Sequence, residues 1–191
     1  AHAVAAIAAR APDAVAELRR RCADRRVSCC GGPSSERPLD ACLPEEVLEL
    51  FASGRSAWRE AVGTEPAVFA RFGGGGSALL PQVLAGLGYV GAVWGTFDGA
   101  ALPDPGAGRI VWEGTGGATI DALARPPLDA RSAAALLTLP ERLGDAMDHD
   151  HVAVVTFAHH AGTACDWHAL VRRIGGWSTA LGTFVTPDEF F

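Results

Sequence analysis

The sequence predicts an α/β protein, a partial (β/α) barrel with parallel strands, in which residues 1–191 form a single domain. Three observations predict it. Short apolar runs bounded by glycine alternate with helix-like stretches along the chain, the pattern of parallel strands joined by right-handed crossovers. About six strands can be counted, too few for a complete eight-unit barrel, which typically takes about 250 residues. Nearly half of the residues are apolar, enough to bury one core. An open doubly wound sheet is the alternative arrangement of the same elements.

The elements follow in order. A helix is expected over 12–23, and a short strand at 27–30 runs into Gly31-Gly32. Pro44-Glu45-Glu46 opens a helix, with proline and acids in its first turn. Val47, Leu50, Phe51 and Trp58 carry its apolar stripe to about Ala61, and Gly63 is its stop. A buried strand at 67–72 precedes the glycine run, and a helix at 78–85 closes on Gly86 or Gly88. "YVGAVW", 89–94, is the next strand, followed by a long Gly-, Pro- and Asp-rich loop. Strands at 110–112 and 119–123 flank a turn at Gly114-Thr115-Gly116-Gly117. Helices are expected near 131–137 and 140–147, a strand at 152–157, a helix at 166–174 and a last strand in "GTFVT". In "TPDEFF" Thr186 reads as a helix N-cap with Pro187 at the first position. A chain that starts without Met and ends on a helix opening is expected to be truncated at both ends, so an upstream leader stays open.

Composition narrows the function classes. All 16 basic residues are Arg and the net charge is −6, which argues against a nucleic-acid partner. The run of Arg19, Arg20, Arg21, Arg25 and Arg26 reads as the solvated end of a helix. Five cysteines without a CxxC spacing argue against a disulfide framework or a zinc ribbon; reduced thiols in a cytoplasmic protein are the expectation. No apolar run reaches membrane-span length.

In either architecture, sites collect beyond the carboxyl ends of the strands. There stand Gly31, Gly32 and Glu36 after the first strand, the glycine run after the second, Thr96 and Asp98 after the third, and His159 and His160 after 152–157. Glu36 and Asp98 are the catalytic candidates on topological grounds, because two carboxylates across a glycosidic bond supply an acid and a nucleophile or base. Each also suits a bland role in capping a turn. Trp94, Trp112 and Trp167 can stack on a sugar ring or fill the core. Arg71, at the end of its strand, joins Trp94 and Trp112 as a substrate-binding candidate. His159 is the metal candidate, since adjacent side chains in extended backbone point opposite ways and only one of His159 and His160 faces a pocket. "FGGGGSA" has no Lys for a Walker loop; an anion at the following helix amino end is a lesser alternative.

The segments "GGPSSERPLD", "LPEEVLELFASGRSAW", "FARFGGGGSALLPQVLAGLGY" and "RIVWEGTGGATIDAL" have a joint order that resembles the catalytic barrel of family 38 glycoside hydrolases, the α-mannosidase type. The likeness covers roughly Gly31 to Leu123. It implies a zinc-bearing βα barrel of the glycoside hydrolase/deacetylase group that cleaves α-mannosides with retention. Glu36 matches the family's Glu. The family's nucleophilic and metal-binding Asp, in D-x-F-G, falls on Ala70, and the Asp of W-x-G-x-D-G falls on Gly116. Two extra residues separate Phe72-Gly73 from Leu80-Pro81, and the family's first metal pair would lie upstream of residue 1. His159-His160-Ala161-Gly162-Thr163 is similar to the family's H-H-D…G-T segment. The expected function is a glycoside hydrolase-like protein of carbohydrate metabolism, with catalysis impaired at position 70. The alternatives are a non-catalytic barrel that binds carbohydrate or a protein partner, favoured by Ala70, and a metal-dependent polysaccharide deacetylase-like enzyme.

Overall fold

The structure, a computed structural model, describes residues 2–71, 77–94, 108–149, 154–158, 167–177 and 182–191. The alanine-rich opening forms helix α1 (His2–Arg10) and leads directly into α2 (Pro12–Ala23), which has proline at its start and Asp13 in its first turn. On α2, Arg20 and Arg21 both hydrogen-bond Glu17, and these bonds pull the Glu17 carboxyl down to about 2. Arg19 does something different. Its Nε donates to the Ala61 carbonyl at 2.7 Å and its Nη2 to the Glu60 carbonyl at 3.0 Å. It thereby serves carbonyls that the end of α3 (Pro44–Val62) leaves without helical partners.

Helix α3 starts where the sequence places it. Pro44 occupies the first position, and the Glu46 carboxylate accepts the Leu43 N–H at 2.9 Å. Gly63 stops it in the left-handed region at φ 83°, a conformation that costs glycine little. Buried Val47, Phe51 and Gly54 recur at helical spacing and set the face that turns toward the sheet.

Four strands form the main sheet: β1 (Val68–Arg71), β2 (Gly91–Trp94), β3 (Arg109–Glu113) and β4 (Thr119–Leu123). Their order is β1-β2-β4-β3. β1, β2 and β4 run parallel, with Phe69 opposite Ala92 and Ala92 opposite Ala122. β3 is antiparallel to β4, closed by the expected glycine-rich turn. Cys30 adds one parallel bridge to Val68 on the far side of β1. The parallel members therefore follow one another in chain order without reversal. Helix α4 (Leu80–Gly86) joins β1 to β2 and ends at Gly88, φ 78°, whose N–H reaches the Ala85 carbonyl.

Register sorts the side chains into two sheet faces. Phe69, Ala92, Trp94, Ile120 and Ala122 share one face and pack with Val47 and Phe51 of α3 and Leu80 and Leu84 of α4. Phe51 lies 6.0 Å from Phe69 and 5.9 Å from Tyr89, centroid to centroid. A second sheet pairs β5 (Leu128–Asp129) in parallel with β6 (Phe157–Ala158). Around it α5 (Ala133–Leu137) and α6 (Leu139–His149) build a separate cluster from Leu128, Ala135 and Leu139, with Phe157 and Trp167 against it. Helices α7 (His168–Trp177) and α8 (Pro187–Phe190) complete the described chain.

The class is thus mixed α/β with a small, mostly parallel sheet, and the described strands do not close into a barrel. Three expected strands differ, the first of them the strand at 27–30, which is reduced to the single bridge at Cys30. Of the strand expected at 152–157, residues 152–153 lie outside the described residues, 154–156 form no strand although the Thr156 carbonyl accepts the Leu128 N–H at 2.9 Å, and the strand itself is Phe157–Ala158. "GTFVT" is irregular, with Phe184 and Val185 exposed. A strand is defined by its ladder, and apolar β-branched sequence alone supplies no neighbour. The segment leads instead into α8, where Glu189 reaches back to the Thr186 N–H at 2.9 Å.

Candidate functional site

The site predicted from topology lies at the carboxyl end of β1, where alternation decides everything. Phe69 and Arg71 point to the helix-covered face, and Ala70 between them points to the opposite one. Arg71 is 1% exposed, the one buried charged side chain among the described residues. Its Nη2 donates to the Arg37 carbonyl and its Nε lies 3.4 Å from a Glu36 carboxylate oxygen. The Glu36 side chain is 66% exposed. The pair therefore joins a buried cation to a solvated acid, and Arg71 pins the segment 31–37 to the strand end.

That segment is held at other points as well. The Gly31 N–H donates to the Val68 carbonyl at 3.0 Å, and the Ser34 N–H donates to the Leu50 carbonyl at 2.8 Å. Gly54 makes the approach feasible: a Cβ there would stand 1.9 Å from the Gly32 carbonyl oxygen. Gly32 in turn lies against the ring of Phe51 and the hydroxyl of Tyr89. Burial pushes the Tyr89 hydroxyl pKa up. The sequence signal for Gly54 was available, a glycine in mid-helix where alanine would be favoured, but its partner across the gap was not.

The aromatic candidates occupy the core. Trp94 is buried, in edge contact with Phe69 at 5.9 Å and Trp112 at 5.1 Å. Trp112, half-buried, packs on the same cluster. Both rings are thus on the helix-covered face with Arg71, away from Ala70. Trp167 stacks edge-on to Phe157 at 5.6 Å in the smaller cluster. Asp98, His159 and His160, together with Phe72 and the glycine run 73–76, lie outside the described residues.

Two more motif segments meet. The hairpin turn docks on the start of α4: the Thr115 N–H donates to the Ala78 carbonyl at 3.0 Å, and Gly114 faces that carbonyl and Pro81. A Cβ at Gly116 would collide with the Gln82 side-chain amide. Leu80-Pro81-Gln82 and Gly114-Thr115-Gly116 form one contact, although more than 30 residues separate them.

The opposite face is covered differently. Gly91 receives the ring of Phe191, and a Cβ at Gly91 would stand 2.3 Å from that ring. Arg109 pairs with Asp121 and lies over the Phe190 ring at 5.9 Å. Position 70, half-buried on this face, offers a methyl group with no ligating or nucleophilic atom. No group of three or more His, Cys, Asp or Glu suited to a metal occurs among the described residues, and none of their helices is long and apolar enough to cross a membrane. No protein-family model matches the chain, and no curated protein matches it.

Proposed function

We propose that the chain is part of a carbohydrate-active (β/α) barrel of the α-mannosidase type that holds an α-linked sugar without hydrolysing it. The barrel reading is supported by the chain-order succession of the parallel strands. The family reading is supported by contacts between its motif segments, 31–37 against α3 and Leu80-Pro81-Gln82 against the hairpin turn. The observation that carries the loss of hydrolysis is Ala70. Retaining hydrolysis needs two carboxyl groups about 5 Å apart across the scissile bond. The position the resemblance makes the nucleophile has only a methyl group. The acid that does match, Glu36, is drawn to Arg71 on the other side of the strand. Zinc, which the resemblance implies, is not fitted by position 70 either, since alanine has no donor atom.

The sugar would lie beyond the strand ends on the face of Ala70 and Val93, not against Trp94 or Trp112. The test uses the whole chain. Calorimetry with methyl α-mannoside should detect binding, and an aryl α-mannoside should release no aryl alcohol in either wild type or Glu36→Gln. Release that Glu36→Gln slows by orders of magnitude would restore the hydrolase. Absence of any α-mannoside binding would overturn the sugar reading, and stoichiometric zinc in elemental analysis would count against a non-catalytic barrel and for a metal-dependent enzyme, hydrolase or deacetylase-like.

A further inference from the structure

Cys22, in the last turn of α2, and Cys29, in the segment beside β1 that runs into Gly31, bring their sulfurs to 3.4 Å. We infer that Cys22 and Cys29 are a reversible disulfide site, oxidised by small disulfides of the glutathione type. A disulfide needs an S–S separation of about 2 Å and hence a closer approach of roughly 1.4 Å, within the reach of side-chain rotation. Both thiols line an open cleft of about 200 Å³ with Arg19, Val27, Glu65 and Asp188, so a small reagent has a path to them. Cys29 is the more buried, 7% exposed, packed with Ala61 and Val62, whereas Cys22 is half-buried.

The arrangement assigns an order. Burial first, then the hydrogen bond with Cys22, pushes the Cys29 thiol up to about 12, so it keeps its proton and acts second. Cys22, losing its proton to solvent, attacks one sulfur of glutathione disulfide; the S–S bond breaks and one glutathione leaves as thiolate and takes up a proton. Cys29 then releases its proton and attacks the Cys22 sulfur, expelling the second glutathione. Two thiols are oxidised by two electrons and one glutathione disulfide is reduced to two glutathiones. Cys30, next to Cys29 in extended backbone, points the other way and is no competitor. Cys42 is engaged elsewhere, 3.2 Å from the Pro38 carbonyl. The bridge would close the turn at 24–26 and fasten α2 to the segment that continues into Gly31 and Glu36.

Arg25 and Arg26 lie between the two cysteines, so trypsin separates them and a bridge is read directly as two linked peptides under non-reducing conditions. The folded chain, equilibrated with glutathione disulfide, should give the Cys22–Cys29 pair, retained in Cys30→Ser, lost in Cys29→Ser and reversed by dithiothreitol. Closing so short a loop should raise the unfolding midpoint by about 5 °C. A persistent glutathione adduct on Cys22, a bridge from Cys22 to Cys30 in folded Cys29→Ser, or no linked pair at all would each overturn the site.

Discussion

The two faces of the main sheet are built on opposite principles. The helix-covered face is a close-packed aromatic and aliphatic core, in which Phe69 and Trp94 meet Phe51 of α3 and Leu80 and Leu84 of α4. The other face carries buried Val68 and Leu123 with the small Ala70 and Gly91, beside the Arg109–Asp121 pair, and is covered in part by the rings of Phe190 and Phe191. One residue of alternation separates them at the strand end: Arg71 belongs to the first face, Ala70 to the second. A conspicuous residue at a strand's carboxyl end is therefore not enough to mark a cleft. Its parity decides which face it joins: Arg71, Trp94 and Trp112 lie on the scaffold side, and the exposed Glu36 carboxylate stands 3.4 Å from Arg71.

The sharpest way to break this comparison is to remove one ring from each face. Phe51 is fully buried, and Phe51→Ala should cost about 4 kcal/mol in urea denaturation through lost burial and an uncollapsed cavity. Phe191, only partly buried, should cost about 1 kcal/mol when replaced by alanine. Equal losses would mean that both faces are core.

The glycines give the next contrast. Gly54→Ala sets a methyl against the Gly32 carbonyl, which is backbone and fixed between α3 and β1. It should cost about 3 kcal/mol. Gly91→Ala meets the base of the Phe191 ring, so that side chain must swing away as a whole, and should cost about 1 kcal/mol, the contact of one partly buried ring. A Gly54→Ala chain as stable as wild type would show that the segment 31–37 is not held against the helix as described.

These contrasts also explain what the sequence could disclose. The helix at 44–62 was legible to within a residue because its signals are local: proline and acids at the start, a glycine stop, a 3.6-residue stripe. The hairpin was legible from its glycines. The chain order of β1, β2 and β4 follows from alternation of elements, but closure of a barrel depends on pairings between distant strands, which no local pattern encodes. "GTFVT" has strand composition without a strand partner. At the site, the residues at the carboxyl end of β1 could be named from the sequence, whereas the side of the strand each one takes required the register. The Arg71–Glu36 contact joins residues 35 apart and left no periodic trace. Asp98 and His159 lie outside the described residues, so the site candidates that the structure places are Glu36, Arg71, Trp94 and Trp112.

An effect that shrinks further with pH tests whether charge, rather than packing, fastens the helix side. Glu65 accepts from Arg55 Nε at 2.5 Å and also from Arg59. Arg55 further donates to the Leu87 carbonyl at 2.7 Å, tying α3 to the exit of α4. Hydrogen bonds from Arg59 and then Arg55 hold the Glu65 carboxyl below its ordinary 4.5. A depressed carboxyl stabilises the fold fully above its unfolded value, and the contribution fades as pH falls from there through the folded value. Glu65→Gln should therefore cost about 1 kcal/mol at pH 7, and the gap to wild type should close progressively below about pH 4.5. Urea denaturation of both chains across that range measures it. A gap that persists unchanged into acid would assign the loss to the shape of the side chain instead of its charge, leaving packing alone to hold the helix-covered face.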